Sequence, residues 1–227
     1  MEYLFDPRPQ PWLPIVGEDK VYPVGRIFCV GRNYAAHATE MGSEVDREQP
    51  FYFTKSCHHL ARSGSMLRYP KTTRDYHHEV EFVVALDGPV SRGSEMDAVL
   101  GYAVGLDMTR RDLQAEAKKT ARPWDMGKDS EGSAVIGAIT RGSRFGEVTD
   151  QRIALTVNGE LRQEGMLSDM IWSVVPLIQH LSGLYSLKAG DVIMTGTPSG
   201  VGPTVPGDVL YGTVDGCAPV ELTLTAR

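Results

Sequence analysis

The chain has only three cysteines among 227 residues, Cys29, Cys57 and Cys217. Odd in number and far apart, they exclude a disulfide framework and a Cys-x-x-Cys zinc site, and they fit a reducing compartment. Basic residues are also in deficit: 23 Lys and Arg against 29 Asp and Glu leave a net charge of -6. With no dense Lys/Arg run, the sequence argues against a polyphosphate-binding surface, so nucleic acid is not an expected partner. No apolar stretch approaches bilayer length. The first residues, Met1-Glu2-Tyr3-Leu4-Phe5-Asp6, have neither the basic start nor the apolar core of a signal peptide, and the expectation is a cytosolic protein with no membrane partner.

Hydrophobic residues make up 41% of the chain, ordinary for a globular protein of this length with a substantial core. Residues 6 to 23 carry Pro7, Pro9, Pro11, Pro14 and Pro23, a density that prevents regular helix and predicts an extended arm, with Trp12, Leu13, Ile15 and Val16 free to dock on the body. We therefore divide the chain into an arm, residues 1–20, and one domain, residues 21–227. In the domain, short apolar runs predict strands at Ile27 to Val30, Phe51 to Thr54, Val80 to Leu86, Ile153 to Val157, Asp191 to Thr195, Val209 to Val214 and Val220 to Thr225. Asn158-Gly159 predicts a tight hairpin, because both turn positions must accept positive φ. Helices are expected from about Tyr34 to Met41 closed by Gly42, after Thr109, and from about Asp169 to Leu181 closed by Gly183. The fold class is α+β, predominantly β, with a few peripheral helices.

Two acids interrupt the strand pattern His77-His78-Glu79-Val80-Glu81-Phe82-Val83. Alternate strand residues share a face, so Glu79 and Glu81 lie on the same side, roughly 7 Å apart. Two like charges beside a valine-rich run require a cation, and oxygen ligands without cysteine suit Mg²⁺, Mn²⁺ or Ca²⁺. The alternative is an edge strand with a solvated acidic face. Asp107 ends the run Gly101-Tyr102-Ala103-Val104-Gly105-Leu106 at a strand-to-helix junction, where it either completes a three-carboxylate site or serves as a turn residue. Thr109, with Asp112 three residues on, reads as a helix N-cap.

Arg111 and Gln114 share the face of the helix that follows, and His37 and Glu40 share the face of an earlier one. The second pair suits a carboxylate and an imidazole activating water, or else an ordinary exposed pair. Lys128, in Arg122-Pro123-Trp124-Asp125-Met126-Gly127-Lys128, could steady negative charge on a substrate oxygen or be one more surface lysine. The glycine-rich stretch Thr195 to Gly202 lacks the lysine and following helix of a phosphate loop.

Five ordered blocks resemble the fumarylacetoacetate hydrolase family. They are Cys29 to Tyr34 with His37 and Glu40; His78 to Glu81; Leu106 to Gln114; Pro123-Trp124 with Lys128; and Gly190-Asp191 through Gly202. The resemblance implies a mixed β-sandwich roll that pairs as a homodimer, with Glu79, Glu81 and Asp107 as Mg²⁺ or Mn²⁺ ligands. It further implies His37 with Glu40 as the water-activating pair, Lys128 as oxyanion stabiliser, and Arg111, Gln114 and Thr197 facing a small dioxo-acid substrate. Members of this kind cleave carbon–carbon bonds in dioxo acids, and some smaller ones decarboxylate oxaloacetate. The arm and the block from Phe28 to Tyr34 look most like the fumarylpyruvate hydrolase branch; a silent keto-acid-binding protein is the rival from another class. Arg32, Lys55 and Arg62 are the candidates for gripping a distal carboxylate. Two segments depart from the family pattern: Ser56-Cys57-His58-His59 replaces a usual proline after Lys55, and Asp129-Ser130-Glu131 adds negative charge after Lys128, which is expected to disfavour an anionic substrate tail.

Overall fold

A computed structural model describes residues 2–40 and 49–226. Its centre is the strand Val80–Leu86, buried at every position. It pairs antiparallel with Val99–Asp107 on one side and Asp191–Met194 on the other. Outward from there the sheet continues through Arg26–Gly31 to Phe51–Lys55, and through Ala134–Ile136 to Leu60–Arg62, with two parallel pairings among antiparallel ones. A second sheet runs in the order Glu160–Met166, Arg152–Val157, Val209–Val214, Val220–Thr225 and Ser65–Arg68. The helices are α1 (Ala35–Glu40), α2 (Arg111–Lys119), α3 (Asp125–Lys128), α4 (Gly142–Phe145) and α5 (Val174–Leu184). The protein is thus predominantly β with peripheral helices, as the sequence implies, and none of these helices is long and apolar enough to cross a membrane.

Strand alternation divides the central strand between two cores. Val80, Phe82, Val84 and Leu86 face the second sheet and α5, packing with Ile153, Leu155, Leu210, Leu222 and Ile178. Val83 and Ala85 face the other way, toward Ile27, Cys29, Val192 and Met194. That second core is closed by the proline-rich segment, which pairs as a short hairpin, Trp12–Pro14 against Val21–Pro23. Leu13, Ile15, Tyr22 and Val24 are buried in it, and the Tyr22 hydroxyl donates to the backbone carbonyls of Leu86 and Asp191. The prolines block helix, as expected, yet they permit this edge pairing.

The Asn158-Gly159 turn has φ of 54° and 81°, the two positive values a tight hairpin needs. Two helix expectations need correction. The segment expected to run from Asp169 begins as a single tight turn, Leu167–Asp169, and the helix proper starts at Val174. Pro176 explains the delay: a proline is tolerated only in the first turn, where no intrahelical N–H bond is lost. Gly183 lies inside α5 and does not close it. Thr109 is not the N-cap of α2, because Thr109–Arg110 is a short strand against Tyr76–His78 and Arg110 holds the cap position without a side-chain bond. The expected ends of the first helix, Met41 and Gly42, lie outside the described residues.

Candidate active site

The antiparallel register sets Val80 opposite Leu106 and Glu81 opposite Gly105, and the Asp107 N–H donates to the Glu79 carbonyl at 2.8 Å. Residues opposite each other project to the same face, so Asp107 joins Glu79 and Glu81 on one side of the sheet. Carboxylate oxygens of the three lie within 4.8 Å of one another, and all three residues are buried, Asp107 completely. The edge-strand reading of a solvated acidic face is excluded for Glu79 and Glu81.

The surrounding cations are unevenly shared. Lys128 Nζ donates to Glu79 Oε2 at 2.6 Å, Asp107 Oδ2 at 2.7 Å and Thr109 Oγ1 at 2.8 Å. Arg111 adds a second ion pair to Glu79 through Nη2, and its Nη1 donates to Gln114 Oε1 at 2.6 Å. Lys55 Nζ lies 2.8 Å from Asp107 Oδ1, but among the described residues that oxygen makes no hydrogen bond. Among the described residues Glu81 has no cation of its own; it accepts the Gly196 N–H at 2.9 Å. Burial, followed by the charges of Asp107 and Glu79, pushes its carboxyl well above the usual carboxylate range. Burial acts on Glu79 in the same direction, but Lys128 and Arg111 outweigh it and hold Glu79 below that range.

This donor set fits a hard divalent cation: clustered oxygens, one carboxylate lacking a counter-charge, and one buried oxygen without a hydrogen bond. Two glycines make the geometry attainable. A Cβ on Gly127 would stand 2.8 Å from the Gln114 backbone nitrogen, so only glycine lets α3 seat Lys128 against α2. Gly196, at φ +96°, would carry a Cβ 2.8 Å from that of Asn33, and its freedom at positive φ turns the loop to bring its N–H onto Glu81.

α1 brings His37 to the same cleft. Asn33 anchors the helix, its amide donating to the Trp172 and Thr195 carbonyls and accepting the Trp172 N–H. His37 Nδ1 lies 3.3 Å from Glu40 Oε2, and Glu40 accepts the Gly200 N–H at 3.0 Å. Burial, the largest influence, lowers the imidazole below its ordinary value against the opposing pull of Glu79 and Glu40. The glycine-rich stretch therefore supplies its backbone donors to Glu81 and Glu40, where a phosphate loop would offer them to a ligand.

All nine candidate residues converge in this region: His37, Glu79, Glu81, Asp107, Arg111, Gln114, Lys128 and Thr197 line one cleft, and Glu40 stands behind His37. Arg62 lies elsewhere, its guanidinium 3.7 Å from the Trp12 ring centroid. Lys55 is buried, ion-paired with Asp107 and hydrogen-bonded to the Lys128 carbonyl. The departures after Lys55 and Lys128 meet each other: Asp129 Oδ1 is 2.6 Å from His59 Nδ1 and accepts the Ser56 N–H at 3.0 Å. The expected negative charge at the substrate is corrected, since Asp129 is turned to a histidine behind Lys128 and Glu131 is exposed outside the cleft.

Two contributors escaped the sequence reading. Gln163, the one buried residue of Glu160–Met166, donates to Thr197 Oγ1 at 2.8 Å and accepts the Val80 N–H at 3.0 Å, tying the Thr197 loop to the acidic strand. Lys118 lines the cleft, and its spacing of four from Gln114 and seven from Arg111 on one helix face was the available signal.

Residues 26–225 match the model of the fumarylacetoacetate hydrolase C-terminal domain. The chain belongs to the fumarylacetoacetate hydrolase family. It is an enzyme of that fold: a fumarylpyruvate hydrolase of Pseudomonas aeruginosa, solved with Mn²⁺ and pyruvate, superposes with a TM-score of 0.95 at 40% identity over 100% of both chains. A fumarylpyruvate hydrolase of a Ralstonia species is 47% identical over 81% of this chain and 98% of its own. An oxaloacetate tautomerase of Escherichia coli is 42% identical over 86% of this chain and 90% of its own.

Proposed function

We propose that the protein is a metal-dependent hydrolase that cleaves the carbon–carbon bond of a 2,4-dioxo acid, with fumarylpyruvate, giving fumarate and pyruvate, as the substrate that its fumarylpyruvate hydrolase relatives support. The observation that carries this reading is the meeting of a three-carboxylate cluster and a buried, Glu40-oriented imidazole in one cleft. Glu79, Glu81 and Asp107 would hold Mg²⁺ or Mn²⁺, which when bound supplies Lewis-acid polarisation of a chelated 2-oxo acid. The bound pyruvate and Mn²⁺ of the Pseudomonas relative support the same chemistry.

His37 does the proton work. With Nδ1 directed at Glu40, its Nε2 is the free base, and burial keeps the ring neutral and able to take a proton from water. Attack of that water on C4 places hydroxide there; the bond from C3 to C4 breaks, and the proton held by His37 returns to C3. Atoms balance as one water added across the bond. Glu40 steadies the transient imidazolium. Lys128 reaches the developing alkoxide by exchanging its Thr109 hydrogen bond, the only neutral partner of the three. Arg111 and Gln114 frame the substrate from α2, and Thr197 is held toward it by Gln163.

A second reading is supported by the tautomerase relative. Enol–keto exchange of oxaloacetate needs the same chelating carboxylates and one proton-transfer group but no attacking water. It differs from the decarboxylation expected from sequence, in which carbon dioxide is lost. Fumarylpyruvate, acetylpyruvate and oxaloacetate, assayed side by side with Mg²⁺, with Mn²⁺ and with EDTA, decide between them. Hydrolysis of a dioxo acid that EDTA abolishes is the expected result; oxaloacetate tautomerisation without any hydrolysis would overturn it.

A further inference from the structure

The far end of the cleft carries positive charge that the catalytic cluster does not use. Of the three cations considered for a distal carboxylate, Lys55 is spent on Asp107 and Arg62 lies on Trp12, but Arg32 lines the same cleft as the carboxylates. Lys118 lines it too. Among the described residues neither has a carboxylate partner, in contrast to Arg111 and Lys128, which both hold Glu79. Burial first, then the charges of Arg111, Arg32 and Lys128, pull the Lys118 ammonium down to about 8. An anion between these groups would relieve that repulsion.

Placement and shape agree. Arg111, at the carboxylate cluster, and Lys118 stand at opposite ends of α2 on one face, about 10 Å apart along its axis, so α2 spans the length of a linear substrate. The wall between is aromatic: Phe53 and Trp124 have ring centroids 6.1 Å apart, with Lys128 Nζ 5.1 Å from the first and Lys118 Nζ 4.9 Å from the second. A flat, unsaturated chain fits along such a wall. Arg32 is held at φ 58°, a left-handed conformation unfavourable for a non-glycine residue. The fold thus tolerates strain at the residue that presents this guanidinium.

We propose that Arg32 and Lys118 clamp the distal carboxylate of a linear dicarboxylic dioxo acid over the Phe53–Trp124 wall, and that this pair sets the preference for such substrates over monocarboxylic ones. The assignment rests on the hydrolase reading above and names its specificity determinant.

The test compares fumarylpyruvate with acetylpyruvate, the same dioxo acid without a distal carboxylate, in wild type, Arg32→Gln, Lys118→Gln and the conservative Lys118→Arg. Each Gln variant lowers the ratio of kcat/KM for fumarylpyruvate to that for acetylpyruvate by about tenfold or more, mainly through KM, and Lys118→Arg restores most of it. Equal losses on both substrates, or none, would overturn the clamp. Fumarate titrated into the Mg²⁺-loaded protein, followed at the Lys118 Nζ resonance by NMR, decides the clamp without turnover. A shift in wild type that weakens in Arg32→Gln supports it, and no shift in wild type overturns it. Wild-type protein that shows the fumarate shift but cleaves neither dioxo acid would sink the hydrolase reading and keep the clamp.

Discussion

One face of the central strand changes task within a single alternation. Glu79 and Glu81 lie at one end; Val83 and Ala85, next on the same face, lie at the other. The apolar end stabilises the fold, each fully buried aliphatic side chain contributing about 1.5–3 kcal/mol. The acidic end opposes folding: Glu79 is offset by Lys128 and Arg111, while Glu81 is left between two like charges. A site able to take a divalent cation is therefore built as a local instability, and the valine end, with the Trp12–Pro14 hairpin closing over it, holds that instability in place.

The largest effect expected from this contrast is that of Glu81→Gln. The amide keeps the shape and can still accept the Gly196 N–H, but it removes the carboxylate without a cation. Affinity for Mn²⁺ should fall by more than about 100-fold, beyond the loss typical of groups that only support a metal ligand, and hydrolysis with it. The melting temperature in EDTA should equal or exceed that of wild type, because a repulsion has been relieved. Calorimetry with Mn²⁺ and a thermal scan in EDTA check both; a lower melting temperature in EDTA would break the contrast between the two ends.

Val83→Ala should do the reverse. Removing two methyl groups from a buried site costs about 2 kcal/mol of stability in transfer and cavity terms, read from urea unfolding. kcat of the folded fraction should be unaltered, since Val83 lies in the apolar core with Cys29 and Met194 and does not line the cleft. A variant that kept its stability but lost kcat would show that the apolar end shapes the chemistry directly.

Much of this contrast is legible in the sequence. Period-two alternation and β-branched runs located the strands, and the Asn158-Gly159 pair located its hairpin, because these signals are local. The grouping of Asp107 with the two glutamates could be suspected, but the strand register that enforces it is a property of two segments a score of residues apart. Thr109 was misread because its neighbours favoured a cap, whereas long-range pairing with Tyr76–His78 took its backbone and Lys128 took its hydroxyl. Gln163 was invisible for the same reason: an amide in an otherwise exposed strand signals nothing until its partners, Val80 and Thr197, are known. Lys118, by contrast, lay within reach of helical spacing alone.

The smallest expected effect concerns His37, buried beside the acidic end. Burial lowers its imidazole below the ordinary 6.5, so the neutral form that takes the proton persists at pH values where an exposed histidine would already be charged. The acid limb of kcat/KM should therefore fall below pH 6.5. The same depression makes His37 a stabilising group at higher pH: its contribution is present above 6.5, the unfolded value, and is lost as pH falls through the lower folded value. Glu40 pulls in the opposite direction, raising the imidazole through its hydrogen bond. Glu40→Gln, whose amide oxygen can still accept the Gly200 N–H, should shift the acid limb further down by a fraction of a pH unit, which a pH–rate profile and imidazole NMR together would follow. A limb that moved upward would mean that the carboxylate does not charge-stabilise this ring, and that the proton acceptor must be sought among the groups nearer Glu81.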